Sequence, residues 1–524
     1  MIVDARTFST NQIFEADLCI VGAGAAGIAM AREFVNSDTK VILLESGGLG
    51  FDHRTQFLYR GEVVGRNFTP LEFTRRRHFG GSTSTWFGRC RPLEDADFEK
   101  RDWFPYSGWP VSAAEMRPYY EKANHLFELD DYAYDHGNEV SHDIVEFKKF
   151  AFSPPTRFGE KYRDELSHSS NLQVFLYANA VHIELDPGGG RVEKIHCSTL
   201  QGKSFSIQSK FFILAMGGLE TTRLLLASQD IQRNGIGNQF DLLGRFFMDH
   251  ISLFDGAAVQ ATGDFPKELF KLDYSIQQKH LGSVLAIGLT EKYKNEHELL
   301  NACGFFIKRP AYKMDDLFFS KEMQDLVYMS DMMRHAVPPT VKVVKSLMSS
   351  ICNGRKLAPV LKNWFLQKTI SSCYGLQLQL ECIPNPESRL TLSDLRDSLG
   401  MPRLKINWKL SQQDLESYQR FRKILFNGLA KIGIKFRPVN HELDAEGWPV
   451  SIVSSKHHIG TTRMSRDVKN GVVDGDCCVH GVHNLYVASS SVFPTSGMAN
   501  PTLTIAALAL RVVDRVKQRL LGIF

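Results

Sequence analysis

The sequence predicts an α/β + α+β fold, a parallel-sheet domain assembled from separated stretches of chain beside a second domain built on an antiparallel sheet. Three observations carry this. Residues 16–45 read as buried strand, glycine-rich turn, amphipathic helix and second buried strand. A buried strand running into paired glycines and then a helix recurs at FFILAMGGLETTRLLLAS, residues 211–228. Between these and the C-terminal 75 residues, short segments alternate apolar and polar side chains, the pattern of antiparallel strands.

At 524 residues the chain has room for two to four structural units. Hydrophobic residues at 43% and charged residues at 23% exclude disordered, collagenous and coiled-coil classes. A net charge of +4 is too small to suggest a polyanion partner, so nucleic acid is not expected. The nine cysteines form neither a disulfide framework nor a zinc-type spacing, which predicts no metal and a reducing compartment, the cytoplasm. The N-terminus lacks the basic and apolar regions of a signal peptide, and no stretch reaches the ~18 apolar residues of a spanning helix.

In chain order, the first element is the most specific. Gly22, Gly24 and Gly27 form G-x-G-x-x-G between strand and helix, and Glu45 closes the second strand 18 residues later. The first glycine permits a tight turn, the second lets backbone approach a pyrophosphate, and the third lets helix pack on strand; the acid can accept ribose hydroxyls. This predicts a Rossmann-like dinucleotide site. Next, HFGGSTSTWFGRCRP (78–92) offers Gly80, Gly81, Ser82 and Thr83, whose N–H groups and hydroxyls suit a phosphate or a flavin edge. The residues alone also allow a glycine-rich surface loop. Residues 102–123 are aromatic-rich and end in a helical pattern, which reads as packing.

Residues 171–226 return to the first sheet, with Ala215 and Gly217 at its second strand-to-helix turn. Beyond Asp249 and His250, residues 282–289, 304–308 and 374–381 read as strands of the second domain. Residues 314–370 are helical in pattern, and the basic part at 334–370 suits either an oligomer or membrane-surface contact or a solvated insertion. The last segment runs from KHHIGTTRMS through the strand NLYVASSS to FPTSGMANPTLTI and a final apolar helix. Asn500 suits the cap of that helix and Pro501 its first turn, while His457 and His458 can be loop histidines bonded to backbone. If both segments return to the dinucleotide sheet, they bring an imidazole and an amide to one reactive end.

The blocks VGAGAAG with Glu45, GGSTSTWFGRCRPLEDADFE, AMGGLETTRLLLAS, GRFFMDH, PNPESRLTLS, HHIGTTRM and SVFPTSGMANPTLTI occur in an order that resembles the glucose–methanol–choline (GMC) oxidoreductases. The closing block is most similar to the family's pyranose-oxidase-like, bacterial sugar-type members. The resemblance implies FAD, a discontinuous Rossmann-like FAD-binding domain, and a substrate domain on an antiparallel sheet. On this pattern residues 1–125 and, mainly, 126–255 form the first two FAD-binding parts. Residues 256–450 form the substrate domain, and 451–524 the third FAD-binding part.

It further implies that His457 is the catalytic base, with His458 as its alternative, and that Asn500 is its partner. The FAD contacts would come from the fingerprint residues, the Gly80–Thr83 loop, Ala215, Gly217, Ser490, Pro501 and Thr502, with the Val181 backbone at adenine. Thr85 stands before Trp86 where some members carry a flavin-linking histidine, so FAD is expected to be non-covalent. Ser489 and Ser490 stand where many relatives have Asp or Gly. The expected reaction removes hydride from a CH–OH group, of a sugar, glycoside or polyol, to flavin N5, with oxygen, a quinone or a redox protein as acceptor. Three alternatives stand beside it: a flavoprotein subunit of a membrane-attached dehydrogenase complex passing electrons to a haem or quinone partner, a nicotinamide (NAD) dehydrogenase, and a flavin-binding scaffold without turnover.

Overall fold

The computed structural model describes all residues except 67, 130–133, 135–142, 155, 262–264, 266, 273–281, 311–371, 439 and 524. The predicted 314–370 insertion therefore lies outside the described residues.

Parallel strands form the first sheet in the order Ile2–Asp4, Leu172–Leu176, Val41–Leu44, Gln12–Val21, Ser204–Leu214. The strand Ser204–Leu214 is long enough to serve three neighbours. Its opening residues pair antiparallel with Val192–Ser198, which pairs on with Asn179–Leu185, while its last three run parallel to Leu485–Val487. Val41–Leu44 is buried on both faces, as parallel strands covered by helices must be. Helix Ala25–Arg32 and the C-terminal helix Thr502–Leu520 pack together, and the latter also lies on helix Ala113–Leu126. Ser112 and Glu115 cap that last helix reciprocally, satisfying its first free N–H groups.

Register decides where this sheet stops. Leu214 is level with both Val21 and Val487, and Val21 with Leu44. Four strands therefore end together, and Gly22, Glu45, Ala215 and Ala488 open four adjacent loops at the carboxyl edge, where ligands of such sheets bind.

The second sheet is antiparallel, in the order Ile434–Pro438, Ile251–Ala261, Ser372–Leu380, Ala302–Pro310, Ser283–Leu289, Val145–Phe152, Arg89–Cys90. Val453–Ser454 also pairs with the start of Ile251–Ala261. Helix Gln412–Lys431 packs on this sheet and buries Leu415, Phe421, Leu425 and Leu429. A hairpin of Arg389–Arg396 and Pro402–Asn407, extended by Glu62–Val63, covers helix Gly217–Ala227.

The two sheets divide the chain less cleanly than the expected segments. Arg89–Cys90 from residues 1–125, Val145–Phe152 from 126–255 and Val453–Ser454 from 451–524 are all strands of the antiparallel sheet. Alternating polarity marks a half-buried strand but carries no information about which sheet receives it.

Candidate active site

The loops at the carboxyl edge surround one cavity that reaches from the fingerprint to the His457 loop. Gly22 adopts φ +106°, and a Cβ there would lie 2.7 Å from the Ala215 carbonyl oxygen. On Gly27 a Cβ would lie 1.8 Å from the Gly22 oxygen, so only glycine lets the helix approach the strand. Gly24 is different: a Cβ there would meet nothing within 4 Å. It caps the helix Ala25–Arg32 without any side chain, leaving the helix N-terminus facing the cavity. Space kept free beside unpaired N–H groups fits a pyrophosphate.

Glu45 is buried, and its two oxygens accept from the N–H groups of Ala23 at 3.1 Å and Gly47 at 2.7 Å. Burial raises its pKa against these bonds. Each oxygen keeps acceptor capacity toward the cavity that it lines. The donor set thus fits an adenosine ribose and pyrophosphate.

The second glycine block docks on the first. Gly80 has φ +92° and would clash with the Gly159 nitrogen at 2.6 Å, while a Cβ on Gly81 would come within 3.1 Å of the Gly24 Cα. Gly81, Ser82 and Thr83 line the cavity, but Gly80 does not. One of the two expected hydroxyls is used internally: Thr83 donates to the Gly80 carbonyl at 2.6 Å. The Ser82 Oγ accepts from the Arg76 N–H, which leaves its own proton available to a ligand.

Ala215, Gly217, Ser490, Pro501 and Thr502 line the same cavity. The Ser490 hydroxyl donates to the His458 carbonyl at 2.7 Å, tying the last strand's loop to the histidine loop. Val181 is not among the walls; Ala178 and Ala180 are. Val181 sits at an irregularity of the strand pairing between Ala180 and His182.

His457 lines the cavity with its Nε2 3.3 Å from the Asn500 amide nitrogen and its Nδ1 2.7 Å from the Nδ1 of His250. Asn500 does not cap the final helix. Pro501 occupies the cap position, and the Asn500 amide spans between His457 and Arg89, whose Nε donates to Oδ1 at 3.1 Å. His458 also lines the cavity, but its ring packs near Phe68 and Phe247, so the adjacent histidines are separated in role by direction. Burial, then the neighbouring His250 and Arg89, lowers the pKa of His457 well below its ordinary value and keeps the ring neutral. Burial likewise brings His250 down to about 4.

Asp249 sets this loop. It accepts from the His457 N–H at 2.9 Å, the Lys456 N–H at 3.1 Å and the Ser454 hydroxyl at 2.6 Å, and burial pushes its pKa up to about 7. Sequence reasoning missed the structural part of Asp249, His250, Arg89 and Gln379. The only signal was the GRFFMDH block, which ends on the Asp249–His250 pair just before a strand. Among the described residues no group of three His, Cys, Asp or Glu side chains could hold a metal, and no helix is long and apolar enough to cross a membrane.

A parallel sheet with this fingerprint, closed at its carboxyl edge by an imidazole and an amide from the C-terminal segment, places a base and a hydrogen-bond donor beside a dinucleotide-type cavity, the layout of a dinucleotide-dependent oxidoreductase. Residues 384–509 match the family described as GMC oxidoreductase. The chain is 33% identical to 6'''-hydroxyparomomycin C oxidase of Streptomyces lividus, covering 96% of this chain and 92% of the relative. It is 22% identical to the fructose dehydrogenase large subunit of Gluconobacter japonicus over 97% of this chain and 98% of the other. Among solved structures, a formate oxidase variant of Aspergillus oryzae RIB40 covers 99% of this chain and all of its own, with TM-score 0.58 at 15% identity. Pyridoxine 4-oxidase of Mesorbium loti covers 95% and 99%, with TM-score 0.54 at 15% identity.

The chain belongs to the GMC oxidoreductase family. It is an FAD-dependent oxidoreductase acting on CH–OH donors, and the nicotinamide alternative falls with that membership.

Proposed function

We propose that the protein oxidises a hydroxyl group of a sugar-like polyol, an aminoglycoside or other glycoside, to a carbonyl, with His457 as the base and Asn500 as its partner. The observation that carries this reading is the His457 Nε2 facing the Asn500 amide at 3.3 Å beside the cofactor cavity. Bound FAD supplies the acceptor for the hydride that leaves the carbinol carbon. The neutral His457 Nε2 takes the hydroxyl proton as the C–H bond breaks. Asn500 donates from its amide to the same oxygen as negative charge develops, a contact of the kind worth roughly 3 kcal/mol. The loop that carries His457 is held by Asp249, so the base is positioned before substrate arrives.

The substrate class is supported by the 6'''-hydroxyparomomycin C oxidase likeness over nearly the whole chain. Fructose dehydrogenase supports a second reading for the electron acceptor, in which a redox partner or quinone takes the electrons in place of oxygen. The expected setting is the cytoplasm, with FAD held non-covalently because Thr85 offers no histidyl linkage.

The test is anaerobic titration of the flavin band with a panel of aminoglycosides, sugars and polyols, then admission of air. Bleaching by one compound supports the reading, and recolouring in air identifies an oxidase. Persistence of the reduced band until a quinone is added identifies a dehydrogenase, and recovery in the membrane fraction favours the complex-bound form. His457→Ala is expected to retain FAD and slow flavin reduction by ~10² or more. An unchanged rate removes His457 from the role, and a flavin that no alcohol reduces favours a scaffold.

A further inference from the structure

The side chains around His457 form one continuous hydrogen-bonded chain whose two ends have a single possible polarity. At one end the His250 Nε2 lies 2.9 Å from the Gly497 carbonyl and 3.3 Å from the Ser496 carbonyl. Carbonyl oxygens only accept, so this nitrogen carries the proton. A neutral imidazole has one proton, which leaves the His250 Nδ1 as a bare acceptor. The His457 Nδ1, 2.7 Å away, must then be the donor.

At the other end stands Arg89, whose guanidinium only donates. Its Nε bonds to the Asn500 Oδ1 at 3.1 Å and its Nη2 to the Gln379 Oε1 at 3.1 Å, and the Gln379 amide nitrogen donates to the Met498 carbonyl at 2.6 Å. Both amide orientations are thereby assigned by their partners. The Asn500 Nδ2 faces the His457 Nε2 and donates to it, so that nitrogen is unprotonated. The deductions from the two ends meet on the same tautomer of the same ring.

We infer that His250 is a positioning residue that locks His457 in the Nδ1–H tautomer, while Arg89 orients Asn500 from the far side. The inference rests on the reading of His457 as base for its consequence: Nε2, the atom beside the Asn500 amide, always presents its lone pair. Without an acceptor at Nδ1, an isolated imidazole populates both tautomers, and one of them places a proton on the atom that must receive one. His250 touches neither cofactor nor hydroxyl in this scheme; it acts through the second ring.

The experiment is 15N NMR of the holoprotein labelled at histidine, at neutral pH without substrate, with the His457 signals identified by their loss in His457→Gln. The expected wild-type result is a protonated, pyrrole-type Nδ1 and a pyridine-type Nε2. Asn500→Leu, which leaves His250 alone to select the tautomer, should keep the Nδ1–H form, and adding His250→Leu to it should give a mixture of tautomers. In the same Asn500→Leu background, His250→Asn places an amide oxygen close to where the ring Nδ1 was and should restore the Nδ1–H form, which a merely space-filling role would not produce. A proton on Nε2 in the wild type overturns the inference, as does an unchanged tautomer in the Asn500→Leu, His250→Leu double variant. The wild-type spectrum decides even if the leucine variant does not fold. Because the spectrum is read without turnover, it is separate from the kinetic test of His457→Ala, which can fail while the tautomer assignment stands.

Discussion

Gly24 and Gly27 share one motif but have different physical duties. A methyl group on Gly27 drives into the Gly22 carbonyl, whereas the same group on Gly24 enters open space in the cofactor cavity. Gly27→Ala is expected to cost about 3 kcal/mol or more, read as a loss of folded protein. Gly24→Ala should change the thermal stability of the flavin-free protein by about 1 kcal/mol or less and still lower its FAD content sharply. Equal FAD content in Gly24→Ala and wild type would show that the open space is not the cofactor's. These glycines were legible in the sequence because each answers a constraint within its own turn. His250, Arg89 and Gln379 were not, because they meet His457 and Asn500 only when strands and loops from five distant parts of the chain are brought together.

The helix Gly217–Ala227 shows what an element needs besides a hydrophobic face. Its buried Glu220 receives Arg75 at 2.8 Å, Arg77 at 3.1 Å and Arg223 at 3.3 Å. Burial pushes the carboxyl pKa up, but the three guanidiniums outweigh it and hold the group at about 2. This pins the 74–77 loop, a wall of the cavity, to the helix. Glu220→Gln leaves three buried cations around a neutral amide and is expected to cost about 3–5 kcal/mol in urea denaturation. A loss below about 1 kcal/mol would mean that the arginines find other partners. The strand-turn-helix of this element was readable from AMGGLETTRLLLAS, but the ion cluster was not, since RRRH at residues 75–78 reads locally as a solvated basic run.

Across the whole molecule, two sets of buried groups oppose each other in acid. Burial brings His78 and His250 down to about 4 and lowers His457 and His458, so these rings are neutral when folded and take up protons on unfolding below their ordinary 6.5. Their contribution is present above pH 6.5 and is lost as pH falls. Burial holds Asp97 and Asp249 up at about 7 and Asp414 at about 6. Those carboxyls release protons on unfolding, and their contribution is lost as pH rises from the ordinary carboxyl range toward those values.

Stability is therefore expected to vary little between pH 5 and 6.5. His78→Phe removes one imidazole, and its unfolding free energy relative to wild type should shift by about 2 kcal/mol in the variant's favour between pH 6.5 and 5. No shift in paired denaturation curves would show that His78 titrates normally.

The three-residue strand Leu485–Val487 lies beside Ser204–Leu214, although some 270 residues of chain separate them. The loops that follow it complete the cavity opened by Gly22. During synthesis the fingerprint leaves the ribosome long before the strand that finishes its pocket. At ~5–20 residues per second, tens of seconds separate the two. Throughout that interval the nascent chain carries a fingerprint with no closed pocket, so cofactor loading waits until residues 485–490 have emerged.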